Sequence, residues 1–85
     1  MSIVRMYCTE SCPYCHRAEQ LLLRRGAALE KIRVDLAPER FPEMVELTGR
    51  DTVPQIFIGE RYVGGYDDLV DLDMDGDLQR WLVGS

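Results

Sequence analysis

Long apolar runs are missing from this 85-residue chain, and none approaches the ~18 residues that a membrane-spanning helix needs. No N-terminal stretch joins a basic start to an apolar core and a small-residue cleavage site, as a secretory leader would. No stripe of Lys and Arg exists, which argues against nucleic acid as a partner. Cysteine is sparse: the three present are an odd number, unlike the even, dense frameworks that staple small secreted domains. The length leaves no room for a second core, so residues 1–85 are expected to form one domain. These absences lead us to expect a soluble, cytoplasmic monomer with no membrane and no nucleic-acid partner.

Charge is present but unevenly placed. Residues 1–66 hold nine Lys+Arg and nine Asp+Glu, whereas residues 67–85 hold six Asp against Arg80 alone. The net charge of −5 therefore lies at the C-terminal end, as a solvated surface would. Within it, "DLDMDGDLQRWL" (Asp71–Leu82) imitates the first half of a calcium loop, with Asp71, Asp73, Asp75 and Gly76 at positions 1, 3, 5 and 6. The twelfth position is Leu82, where a bidentate Glu is required. A turn between two short C-terminal helices explains the run better.

The hydrophobic pattern gives an element order. "SIVRMY" (Ser2–Tyr7) is apolar and β-prone. Cys12-Pro13 opens a helix, because Pro is favoured where its missing N–H has no partner, and Ala18, Leu21 and Leu22 form its apolar stripe ahead of Gly26. "KIRVDL" (Lys31–Leu36) alternates with the period of a strand. Phe41, Met44, Val45 and Thr48 mark a second amphipathic helix that ends at Gly49. "QIFIGERYVGG" reads as a hairpin about Gly59-Glu60, and Leu69, Leu72, Leu78, Trp81 and Leu82 recur at helical intervals after it. Strand, helix, strand implies a parallel pair, and the hairpin adds an antiparallel one. The expected fold class is α/β: a four-stranded mixed sheet with helices on both faces.

All three cysteines fall in "CTESCPYC" (Cys8–Cys15). The spacing C-x3-C-x2-C also occurs in radical enzymes that use S-adenosylmethionine, but those need a barrel of roughly 200 residues or more. A zinc or iron–sulfur set of Cys8, Cys12, Cys15 and His16 fares little better, since Cys15 should point inward, His16 outward, and no later residue closes the site. His16 is expected to face solvent. Cys12 and Cys15 instead form a C-x-x-C pair at a helix start, the thioredoxin-like arrangement. There, unpaired N–H groups and the positive end of the helix dipole favour an ionised sulfur on Cys12, and Cys15 shares the same face of the first turn. Tyr14 is placed to shield the pair and meet a substrate.

"CPYCHRA" (Cys12–Ala18), "TVPQIFIG" (Thr52–Gly59) and "GGYDDL" (Gly64–Leu69) together resemble the three signature segments of dithiol glutaredoxins of the short bacterial type. The resemblance spans essentially the full chain. It implies a thioredoxin-like fold and a glutathione-dependent oxidoreductase that reduces protein disulfides and glutathione mixed disulfides. Cys12 would be the nucleophile, Cys15 the resolving thiol, and glutathione the reducing cosubstrate, with no bound cofactor and no metal. Glutathione would lie against Tyr14, Thr52, Val53, Pro54, Tyr66, Asp67 and Asp68. Val53 would pair with it backbone to backbone, and Pro54 would be cis. Disulfide-bonded or glutathionylated proteins are the implied partners. The same fold and cysteines would also serve an electron carrier reduced by a dedicated reductase.

Three positions depart from that pattern. Thr9 stands where many relatives carry Lys, a loss expected to weaken glutathione binding and thiolate stabilisation somewhat, with Arg17, Arg40 and Arg50 as the candidates to compensate. Tyr66 stands where many have Cys. Cys8 replaces a polar residue; its simpler reading is a small side chain that fits the strand end, and its sharper one is an accessory redox thiol.

Overall fold

The computed structural model describes residues 2–83. The strands are β1 (Ile3–Cys8), β2 (Ala28–Arg33), β3 (Gln55–Ile58) and β4 (Arg61–Gly64), and the helices are α1 (Pro13–Arg24), α2 (Arg40–Thr48), α3 (Tyr66–Met74) and α4 (Asp77–Val83). All four strands join one sheet in the order β2-β1-β3-β4. β1 runs parallel to β2 and antiparallel to β3, and β3 and β4 form the expected hairpin. Gly59 turns that hairpin with φ 60, while no described non-glycine residue has positive φ, which is the pattern of a type II′ turn.

Alternation along β1 assigns its side chains to two cores. Val4, Met6 and Cys8 join Ile56 and Ile58 of β3 on one face, beneath Cys15, Ala18, Leu21 and Leu22 of α1, Leu69 of α3, and Leu78 and Leu82 of α4. Tyr7, Ile32, Val34 and Phe57 form the other face, covered by Met44 of α2. Helices thus lie on both faces, as expected, with the thicker layer on the side of α1.

The second strand lies three residues earlier than the alternation of Lys31–Leu36 predicts. Register with β1 decides this, since Ile3 pairs with Ala28 and Cys8 with Arg33. Ile32 and Val34 are both buried, so the alternation is real. Beyond Arg33, however, only the Val34 N–H, bonded to the Cys8 carbonyl at 3.0 Å, continues the ladder before the chain turns. Two helices follow the hairpin, separated at Gly76 with φ 81, and the Asp-rich run is that turn.

Candidate active site

The site assembles where three segments leave the sheet at the same end. β1 delivers the chain to Cys12, which is the N-cap of α1 with extended backbone (φ −91, ψ 110), and Pro13 follows as first helical residue. An N-cap side chain normally accepts an N–H from the first turn. Here sulfur does so: the Cys15 N–H donates to Cys12 Sγ at 3.2 Å. That bond strengthens when the sulfur carries charge. Cys12 is half-buried, whereas Cys15 is 2% exposed. Burial, reinforced by the hydrogen bond with Cys12, pushes the Cys15 thiol up to about 12. The two cysteines are therefore unequal: one at the surface, one held protonated beneath it. All three thiols are free.

β3 supplies the second segment. Its pairing with β1 ends at Tyr7 and Gln55, so the preceding residues emerge beside the loop that carries Cys12. The Val53–Pro54 bond is cis. The Cys12 thiol donates to the Val53 carbonyl at 3.6 Å. Val53 lies outside the ladder, leaving its backbone at the mouth of the site. Gln55, 1% exposed, holds this turn from below. Its amide donates to the Thr52 carbonyl at 2.9 Å and Thr52 Oγ1 at 3.3 Å, and its own oxygen accepts from Tyr62. Sequence reasoning passed over Gln55; the available signal was a polar residue heading an otherwise apolar strand.

The third segment enters from β4. Gly64 has φ 121, and a Cβ there would stand 2.2 Å from an Asp68 carboxylate oxygen, so any side chain would be strained and would displace Asp68. Asp68 in turn accepts the Gly65 N–H at 3.0 Å, closing the first turn of α3. Asp68 is thus a cap as well as a groove residue. Tyr66 leans on Tyr14 with ring centroids 5.9 Å apart.

Together these segments enclose a groove of about 300 Å³. Every residue expected to meet glutathione lines it, namely Tyr14, Thr52, Val53, Pro54, Tyr66, Asp67 and Asp68, and Arg50, Gln55 and Gly65 complete the walls. Of the three candidate arginines only Arg50 is among them, 3.3 Å from Asp68. Arg17 lies over the ring of Tyr14 at 5.4 Å, and Arg40 is paired with Glu43 within the first turn of α2. His16 is exposed, its ring nitrogen 2.6 Å from the Glu10 carbonyl. Cys8 is buried at the end of β1, outside the groove. A larger cavity of about 1040 Å³ opens at the other pole, between the β3–β4 turn and α4; Val53, which accepts from the Cys12 thiol, lines the groove but not this cavity.

A mixed four-stranded sheet with helices on both faces, carrying a C-x-x-C at the start of its first helix and a cis-proline turn beside it, defines a thioredoxin-like thiol–disulfide oxidoreductase. Comparison with known proteins narrows the class. The glutaredoxin family model matches residues 4–63. A glutaredoxin of Neisseria meningitidis serogroup A is 49% identical over 83 residues, covering 96% of this chain and 98% of its own. The solution structure of glutaredoxin from Brucella melitensis superposes with TM-score 0.85 at 48% identity, covering 96% of this chain and 89% of its own. A buckwheat glutaredoxin–glutathione complex superposes with TM-score 0.88 at 28% identity, covering 95% and 76%. The chain belongs to the glutaredoxin family, and its activity is that of a glutathione-dependent thiol–disulfide oxidoreductase.

Proposed function

We propose that this single-domain protein reduces protein disulfides and glutathione mixed disulfides through Cys12 and Cys15, drawing electrons from glutathione. The observation that carries the assignment of roles is the contrast between the two sulfurs. Cys12 is accessible and accepts an N–H at a helix start, while Cys15 is buried and protonated.

In the first step Cys12 attacks one sulfur of a substrate disulfide. A Cys12–substrate disulfide forms and the other substrate sulfur leaves as a thiolate. Cys15 then attacks Cys12 as its proton departs; the Cys12–Cys15 disulfide forms and the second substrate thiolate is released. One glutathione thiolate opens that disulfide to a Cys12–glutathione adduct, and a second removes it as oxidised glutathione. When the substrate is itself a glutathione mixed disulfide, free glutathione resolves the adduct and Cys15 is not needed.

The groove suits an extended, zwitterionic tripeptide. Val53 offers unpaired backbone for a short strand addition beside Cys12. Arg50 supplies the cation absent at Thr9. The N-terminal N–H groups of α3 favour a carboxylate, and Asp67 and Asp68 favour an ammonium. Tyr14 and Tyr66 wall the groove on the side of α1. We read the protein as working without a resident metal or other bound cofactor, with glutathione as the reducing cosubstrate. We further assign it to the cytoplasm as a monomer with disulfide-bonded or glutathionylated proteins as partners; no described helix is long and apolar enough to cross a membrane.

Glutathione with glutathione reductase as the electron source, assayed with the single-serine variants of Cys12 and Cys15, tests this assignment. Turnover supported only by thioredoxin reductase would overturn it.

A further inference from the structure

Cys8 is the one thiol that the proposed cycle leaves idle, and its surroundings are not those of a spacer. It is 2% exposed and lies in the same buried cluster as Cys15. Cys8 and Cys15 also share the wall of a single cavity of about 60 Å³, with Lys31 and Arg33 on its rim. Cys12 does not reach that cavity; its sulfur faces the Val53 carbonyl instead. Cys15 therefore meets Cys12 through its own N–H and Cys8 across the small shared cavity.

We propose that Cys8 is a second partner for Cys15, which converts the oxidised protein from a closed dithiol form into one with a free nucleophile. The step rests on the Cys12–Cys15 disulfide of the cycle above. Cys8 attacks the Cys15 sulfur across the shared cavity. The Cys12–Cys15 bond breaks, a Cys8–Cys15 bond forms, and Cys12 leaves as the thiolate. The Cys8 proton passes to solvent through the small cavity. One disulfide is exchanged for another, so no oxidant or reductant is consumed.

The chemistry favours this direction of attack. The displaced sulfur is the one that accepts a hydrogen bond from the helix start, which makes it the better leaving group. The new disulfide is neutral and lies among apolar side chains, while the released charge is at the surface. Burial raises the Cys8 thiol; Lys31 and Arg33 oppose that rise, while Glu19 and Asp35 add to it. The product retains Cys12 for exchange of glutathione with glutathionylated substrates, while the dithiol route is shut.

Both elements of the test lie in one peptide, because trypsin cuts after Arg5 and Arg17 and releases residues 6–17 with all three cysteines. The protein is equilibrated with oxidised glutathione, quenched at mildly acidic pH, labelled with a maleimide and fragmented. We expect two populations of singly labelled peptide, one carrying the label on Cys8 and one on Cys12. The Cys12-labelled population should disappear in Cys8→Ala and Cys8→Ser, which then carry no label on the peptide. A label confined to Cys8 in every disulfide-bearing molecule would overturn the exchange and leave the dithiol cycle standing. A peptide with no disulfide at all would overturn the cycle itself, and the exchange with it. As a second readout, oxidised wild-type protein should accept glutathione from a glutathionylated peptide onto Cys12, and oxidised Cys8→Ala should lose that ability; equal acceptance by both would also refute the exchange.

Discussion

The backbone N–H of Cys15 points at Cys12 Sγ across 3.2 Å, so the proposed resolving residue also donates a hydrogen bond to the proposed nucleophile. The two cysteines are linked through a helix start rather than through side-chain contact alone. Their roles should separate cleanly on mutation. Cys12→Ser should reduce every turnover to background. Cys15→Ser keeps the N–H in place, so it should lose reduction of protein disulfides yet retain deglutathionylation. Equal losses for both variants in both assays would contradict this division.

The burial of Cys15 has a signature in alkaline stability. Its folded thiol titrates near 12 against an ordinary value of 9.0, so the folded state binds the extra proton between those values. This contribution is fully present below pH 9.0 and is lost as pH rises toward about 12. Cys8 shifts in the same direction for the same reason, desolvation. Denaturant midpoints of the reduced protein should fall above pH 9.0, and those of the disulfide form, which has lost one titrating pair, should fall less. Parallel curves would exclude it.

Gln55→Ala should remove the hydrogen-bond partner of the Thr52 carbonyl, on an exposed residue, and of the half-buried Tyr62 hydroxyl. A typical hydrogen bond contributes about 0.5–1.5 kcal/mol net, and urea unfolding should show a loss of that order. Because Gln55 positions the turn before Pro54, KM for glutathione should rise more than kcat falls. Gln55→Glu, which keeps the size, would restore stability only in part.

Arg50→Ala should raise KM for glutathione about two- to fivefold, as expected for an exposed ion contact of ~1 kcal/mol or less. The effect should fade as salt is raised. Arg17→Ala and Arg40→Ala should leave KM unchanged. A response confined to Arg17 would move the anion contact to the ring of Tyr14.

Gly64→Ala forces a methyl onto the Asp68 carboxylate and demands φ 121 of a residue that rarely adopts it. Relief requires α3 to shift its first turn, which carries Tyr66 and Asp67. We expect about 1–3 kcal/mol of destabilisation, the usual scale of such strain, together with weaker glutathione binding by calorimetry. Wild-type affinity in a destabilised variant would show that the groove does not depend on that turn.

Local signals carried most of the fold. Pro13 after Cys12, the stripe of Ala18, Leu21 and Leu22, the Gly59-Glu60 turn and the Asp-rich break at Gly76 each depend on neighbours in the chain, and each was legible. β2 was not fully so. Ala28 has no strand character of its own and is strand only because Ile3 lies beside it, a pairing 25 residues away. The site divided along the same line. The three signature segments name the groove's walls, but the choice of Arg50 over Arg17 and Arg40 depends on which side chains the folded sheet brings to one end. Gln55 and the shared cavity of Cys8 and Cys15 were hidden likewise.

The Ser2 N–H bonds to the Leu82 carbonyl at 3.1 Å, fastening the two ends of the described chain together at the head of β1. Cys12 lies past the tail of the same strand, about 20 Å away at ~3.3 Å per residue. A short peptide bridging that pole, with new ends opened in the exposed loop around Pro38, should yield a circular permutant whose redox groove is untouched. Fusion partners attached at that pole should likewise leave the thiols open to substrate.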